Sequence, residues 1–170
     1  MNQRPTVAVL GLGAMGHAFA ANLLKNGFIV NGWNRTRARG EDLLSSGLQL
    51  CDTPQQAVAD ADVVIAMLSD GETTLAVLAE LLPHLKTDAV VSQMGTIGIA
   101  ATEQLIDTYR QQRPDVVFID APVSGTKAPA EQAQILILAS GDRERAAAIE
   151  PVFTAISKGA KWLGAAGAGS

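Results

Sequence analysis

The sequence predicts an α/β fold: a doubly wound, mostly parallel sheet with helices on both faces. Three observations lead there. Short apolar runs at residues 6–10, 62–67, 89–93 and 116–121 alternate with helix-like stretches, and runs that stay apolar, without a polar residue at every second place, mark strands covered on both sides. A glycine-rich turn, Gly11-Leu12-Gly13-Ala14-Met15-Gly16, lies between the first such run and the first helix-like stretch. Finally, 170 residues that are 48% hydrophobic suffice for one substantial core, which sets one domain as the expectation.

In chain order, residues 6–10 read as a strand, 15–26 as a helix and 28–33 as a second strand, a βαβ unit. Residues 37–46 read as a helix closed by Gly47, 49–51 as a short strand, and Thr53 as an N-cap with Pro54 at the first helical position. The alternation continues with a strand at 62–67, a helix at 73–82 stopped by Pro83, a strand at 89–93 and a helix at 99–112. Strands follow at 116–121 and 135–139, separated by a loop at 122–133, which leaves room for antiparallel pairs. Asp142 is read as the cap of a helix running towards residue 156, with Pro151 as a kink.

The glycine turn has the placement of a Rossmann-type dinucleotide site, between a strand and a helix. Gly11 allows the tight turn, Gly13 lets backbone approach a pyrophosphate, Gly16 lets helix pack on strand, and the N–H groups at the helix start attract phosphates. Leu12, Ala14 and Met15 belong to the same turn. Which dinucleotide is bound is read at the end of the second strand, where an NAD site usually carries an acid on the ribose 2′-hydroxyl. Here Asn34-Arg35-Thr36 stands instead. A guanidinium pairs with the 2′-phosphate of NADP, which a carboxylate would repel, so NADP is favoured over NAD. The plainer reading of Arg35, Arg37 and Arg39 is a solvated helix start capped by Thr36.

Other function classes lose ground on composition. The net charge is −4 and no basic stripe is interleaved with aromatics, so no nucleic-acid partner is expected. No apolar run approaches the ~20 residues of a membrane span, and residues 1–5 are too short and polar to begin a secretory signal, so the expected location is cytoplasmic. Cys51 is alone, which rules out a disulfide within the chain and suits a buried, inert thiol. His17 and His84 have no partners at metal-ligand spacing, and no metal site is expected. Ser124 lacks the G-x-S-x-G setting of a hydrolase nucleophile.

Two segments resemble signatures of the β-hydroxyacid dehydrogenase family, which contains 3-hydroxyisobutyrate dehydrogenase, 6-phosphogluconate dehydrogenase and the glyoxylate and succinic semialdehyde reductases. They are the glycine turn with Ala20, Asn22-Leu23 and Gly27, and Asp120-Ala121-Pro122-Val123-Ser124-Gly125. Asn34-Arg35-Thr36, Met67-Leu68-Ser69-Asp70 and the stretch from Ser124 through Glu131 look most like the NADPH-dependent glyoxylate and succinic semialdehyde reductases. Thr126 replaces a second glycine found in 3-hydroxyisobutyrate dehydrogenases. The resemblance implies NADPH-dependent reduction of a small carbonyl acid to its hydroxy acid, or the reverse. It implies that Ser124, Gly125 and Thr126 offer donors to a substrate carboxylate, that Met67, Leu68 and Ser69 lie beside the cofactor, and that Thr96 approaches the nicotinamide ribose or the substrate. Plain core for Met67 and ordinary loop caps for Ser69 and Thr96 remain the simpler readings.

By the same resemblance, residues 1–164 are the NAD(P)-binding domain and residues 165–170 begin the connection to an all-helical domain. That second domain would carry the dimer contacts of a homo-oligomer, and the family's catalytic lysine would lie beyond Ser170; Lys158 and Lys161 do not match its position. Two alternatives are an imine reductase, against which Asp120 to Gly125 argues, and a non-catalytic NADP-binding module.

Overall fold

The computed structural model describes residues 4–164. Six strands form one parallel sheet: β1 (Val7–Leu10), β2 (Val30–Trp33), β3 (Gln49–Leu50), β4 (Val63–Ala66), β5 (Val90–Gln93) and β6 (Val117–Asp120). Their order is β3-β2-β1-β4-β5-β6, and every pairing is parallel. All residues of β1, β4, β5 and β6 are buried, which is why these runs are mostly apolar, with Ser92 and Gln93 in β5 and Asp120 in β6 as buried polar residues. The strand order reverses at β1 and β4, and the crevice outside the carboxyl ends of these two strands is where such sheets bind ligands.

Helices cover both faces. Val7 and Val9 point to one side, among Phe19 and Leu23 of α1 (Ala14–Lys25) and Phe153 and Ile156 of α6 (Glu150–Ile156). Ala8 and Leu10 point to the other, among Leu78 of α3 (Gly71–Glu80) and Leu105 and Tyr109 of α4 (Ile99–Gln112). The buried Tyr109 hydroxyl donates to the Leu78 carbonyl at 2.6 Å, tying α4 to α3. The short helix α2 (Pro54–Val58) carries the expected cap: Thr53 accepts the Gln56 N–H at 3.1 Å.

Three segments differ from the sequence expectation. Residues Arg37–Ser46 form a 3-10 helix, ending as expected at Gly47 with φ +106°. Leu43 is the one large apolar side chain they bury, and Gly40 is pressed so close to Leu12 and Leu50 that a Cβ would stand 2.7 Å from Leu12 Cδ1. No apolar stripe of α-helical period exists there to hold a regular α-helix. The loop at 122–133 contains strand β7 (Val123–Ser124) and helix α5 (Lys127–Glu131), both too short to leave a periodic signal.

The helix foreseen from Asp142 begins only at Glu150. Asp142 does accept the Arg145 N–H, at 3.2 Å, but Pro151 sits in the first turn of α6, where its missing N–H costs nothing, so it starts the helix and does not kink it. Beyond it, β9 (Ser157–Trp162) pairs in parallel with β8 (Ile135–Ala139), which pairs antiparallel with β7. A bulge in the β8–β9 register breaks the alternation that would have marked β9 in the sequence. An antiparallel bridge between Asp120 and Ser140 joins the second sheet to the edge of the first. The expected interdomain connection at 165–170 lies outside the described residues.

Candidate functional site

The three glycines of the first turn are required for different reasons. Gly11 has φ +98°, and a Cβ on it would stand 2.2 Å from the Met67 carbonyl oxygen. At Gly16 a Cβ would stand 1.8 Å from the carbonyl oxygen of Gly11. Gly13 has φ −68° and nothing within 4 Å of its Cβ position. Fold geometry therefore demands the first and third glycines, while the second borders open space at the start of α1.

That helix start suits an anion. No side chain caps it and no acid lies in its first turn, whereas Thr53 caps α2 and Asp70 caps α3. The backbone donors of the first turn and the positive end of a 12-residue helix therefore face the open side. Leu12 is buried beneath the turn, Ala14 is exposed and Met15 half-buried.

The loop after β2 is braced to this turn. Asn34 Oδ1 accepts the Leu12 N–H at 2.8 Å, and Asn34 Nδ2 donates to the Thr36 carbonyl at 2.9 Å. Arg35 and Thr36 are exposed, and the Thr36 side chain does not cap the following helix. The arginines divide: Arg37 donates to an Asp52 carboxylate oxygen at 2.8 Å and is committed there, while the side chains of Arg35 and Arg39 make no hydrogen bond or ion pair among the described residues, Arg35 acting only electrostatically on Asp70. His17, in α1, reaches both oxygens of the Asp42 carboxylate, at 2.8 and 3.0 Å, instead of turning to the open crevice.

The ends of β4 and β5 form the opposite side. Met67 is half-buried and packs against the core, and its N–H donates to the Leu10 carbonyl at 2.9 Å. Leu68 is half-buried and Ser69 exposed, its hydroxyl 3.4 Å from the Asp70 carboxylate. Asp70 accepts the Thr73 N–H at 2.7 Å, and this bond holds its carboxyl below the usual range. The Gln93 amide clamps the next loop by donating to the Gly95 carbonyl at 2.7 Å and accepting the Gly95 N–H at 3.1 Å. Thr96, exposed, borders a cavity of about 210 Å³ that Ile97, Ile99, Thr102, Asp120 and Pro122 also line.

The second signature lies just past that cavity. Ser124 ends β7 opposite Leu136, and Gly125 turns the chain with φ +143°, so close to Ile135 that a Cβ would stand 2.7 Å from its Cγ2. Ser124, Gly125 and Thr126 are exposed, and the 210 Å³ cavity is lined by Pro122 but not by them. Sequence reasoning gave no role to Gln93; its signal was a long amide after Ser92 at the end of a strand that begins Val90-Val91.

Residues 6–164 match the family model described as the NAD binding domain of 6-phosphogluconate dehydrogenase. The chain belongs to that family. Among curated relatives of this NAD-binding domain is glyoxylate/succinic semialdehyde reductase 1 of Arabidopsis thaliana, 34% identical over 96% of the chain and 57% of the relative. The 3-hydroxyisobutyrate dehydrogenase of Mycobacterium tuberculosis, solved with L-serine, superposes with a TM-score of 0.92 at 29% identity, over 98% of this chain and 57% of that one. An imine reductase from Myxococcus stipitatus, solved with NADP+, matches with a TM-score of 0.87 at 26% identity, over 97% and 56%. The NAD-binding domain thus spans little more than half the length of these proteins. No helix among its described residues is long and apolar enough to cross a membrane, and no cluster of His, Cys, Asp or Glu among them is arranged to hold a metal ion.

Proposed function

We propose that this chain binds NADP(H) across the β1–β4 crevice and serves an oxidoreductase that reduces a small carbonyl acid to its hydroxy acid, or runs the reverse reaction. The observation that carries the reading is Gly13, a glycine that neither its own φ nor any neighbour requires, bordering open space at an uncapped helix start. A pyrophosphate fits that space, held by the first-turn N–H groups of α1. Arg35, exposed and with no side-chain hydrogen bond or ion pair among the described residues, holds the 2′-phosphate with Thr36 beside it, while Asn34 keeps their loop at a fixed distance from the glycine turn. Met67, Leu68, Ser69 and Thr96 border the nicotinamide end, and Ser124, Gly125 and Thr126 offer a hydroxyl and backbone donors to the substrate carboxylate. When bound, the cofactor supplies the hydride.

Support for the substrate class comes from the second signature together with the reductase of Arabidopsis thaliana, similar over 96% of the chain. Substrate choice, the proton donor and any assembly through a helical second domain belong to the same proposal. Titration with NADPH and NADH tests the cofactor, with tighter NADPH binding expected. NADPH oxidation by the polypeptide as its gene encodes it, in the presence of glyoxylate or succinic semialdehyde, tests the reaction. Equal affinities overturn the first, and no oxidation with either acid overturns the second.

A further inference from the structure

We infer that Asn22 is a positioning residue for the substrate loop: it fastens the cofactor helix α1 to the helix α5 that follows Ser124, Gly125 and Thr126. The inference rests on the proposed role of those three residues. Asn22 is half-buried on α1, and its Nδ2 donates to the Ala130 carbonyl at 3.0 Å and lies 3.4 Å from that of Glu131, across 108 residues of sequence.

The loop between Ser124 and Thr126 is held from two sides. On one, Ser124 and Val123 pair with Leu136 and Ile137 of β8, a strand embedded in the core. On the other, α5 has five residues and buries only Ala130, in the same core cluster as Phe19 and Leu23 of α1. A helix of that length is not stable by itself. Its placement depends on what it docks against. Ala130 supplies a shape contact that lets the helix slide or rotate, whereas the Asn22 amide engages carbonyls at its carboxyl end and fixes it along its axis. The Ala130 carbonyl already accepts the Ala133 N–H at 3.1 Å, so the Asn22 amide adds a second donor to it, one that comes from α1 and not from the segment itself.

This assigns a purpose to a polar side chain on the packed side of α1. Asn22 faces α5, far along the helix from the glycine turn at its start, so it does not act on the cofactor's phosphates. Its loss loosens Thr126, whose carbonyl accepts the Ala130 N–H at 3.0 Å, and with it the donors offered to a carboxylate. The loop then samples positions in which those donors no longer converge.

The test compares Asn22→Ala with Asn22→Gln, which keeps an amide donor, on the polypeptide as its gene encodes it. Amide hydrogen exchange is followed at Ala130, Gln132 and Gln134, whose N–H groups bond within the 126–134 segment. In Asn22→Ala these amides are expected to exchange about three- to tenfold faster, and the KM for the carbonyl acid to rise by a similar factor, as for one lost hydrogen bond. The β1 and β4 amides, the KM for NADPH and kcat stay unchanged, and Asn22→Gln recovers part of both effects. Unaltered exchange at 126–134 overturns the brace, and faster exchange without a change in carbonyl-acid KM overturns its positioning role. Weakened NADPH binding with unaltered exchange would assign Asn22 to the cofactor instead. If the unmodified protein reduces no carbonyl acid, the functional reading fails, and the exchange data alone decide whether the brace exists.

Discussion

A methyl group on Gly16 would stand 1.8 Å from the carbonyl oxygen of Gly11, so helix α1 and the turn that precedes it touch through bare backbone. Gly13, three residues earlier, has ordinary φ and an empty surrounding. The two glycines therefore separate folding from binding. Gly16→Ala is expected to destabilise the fold by several kcal/mol or prevent it, because backbone must move. Gly13→Ala is expected to leave the melting temperature within a few degrees of the unmodified chain while abolishing measurable NADPH binding. Calorimetric melting and cofactor titration on both variants check this, and a Gly13→Ala protein that binds NADPH normally removes the pyrophosphate from that space.

The arginines after β2 divide in the same way. Arg35→Ala is expected to weaken NADPH by about 1 to 3 kcal/mol and NADH hardly at all, the loss of one charged partner of the 2′-phosphate. Arg37→Ala is expected to change neither by more than a few tenths, because Arg37 is occupied by Asp52 at 2.8 Å. Asn34→Asp keeps an acceptor for the Leu12 N–H but sets a carboxylate beside the 2′-phosphate, so preference should move towards NADH. Titrations with both cofactors decide; equal losses of NADPH binding in the Arg35 and Arg37 variants contradict the division.

The main sheet was legible in the sequence because β1, β4, β5 and β6 are buried on both sides and have no solvated face to interrupt their apolar runs. The glycine turn was legible because its spacing is tied to a strand end and a helix start. Less regular parts hid themselves for physical reasons. In β9 a bulge shifts the side chains between Ser157 and Gly159, and α5 holds its place by docking on α1. Nothing in the sequence distinguished Arg37 from Arg35, since the difference is Asp52, 15 residues away and brought near by the parallel pairing of β2 and β3. The amide of Asn34 read as a cofactor residue and that of Gln93 had no assigned role; only their hydrogen bonds show them clamping loops.

Acid stability should carry the signature of one ion pair. Arg113 bonds both oxygens of Asp115 at 3.0 Å, and this holds the Asp115 carboxyl down at about 2, against an ordinary value of 3.8. A carboxylate whose pKa is lower in the folded state contributes stability that is complete above its unfolded value and is lost as pH falls from about 4 to about 2. Asp115→Asn should therefore cost stability at neutral pH, and that cost should shrink towards zero near pH 2. Urea unfolding of both proteins across that range measures it. A penalty independent of pH would mean that the hydrogen bonds to Arg113 and the Asp88 N–H matter and the charge does not.

The substrate end offers the sharpest separation of roles. Ser124 is exposed, and its place in β7 is fixed by backbone pairing with Leu136, so Ser124→Ala leaves the strand intact. The variant is expected to raise the KM for glyoxylate or succinic semialdehyde about tenfold while NADPH affinity holds, since on the proposed reading the two ligands occupy different parts of the crevice. Lys127 is the control. It starts α5 three residues after Ser124, and among the described residues it is the lysine nearest in sequence to the signature. On the proposed reading Lys127 is not the proton donor, so Lys127→Ala should leave kcat within about threefold, whereas removing a general acid typically costs ~10² to 10⁴. Steady-state kinetics with both acids, on the polypeptide as its gene encodes it, separate the two residues. A collapse of kcat in Lys127→Ala, with KM unchanged, would make Lys127 the acid that protonates the nascent alkoxide.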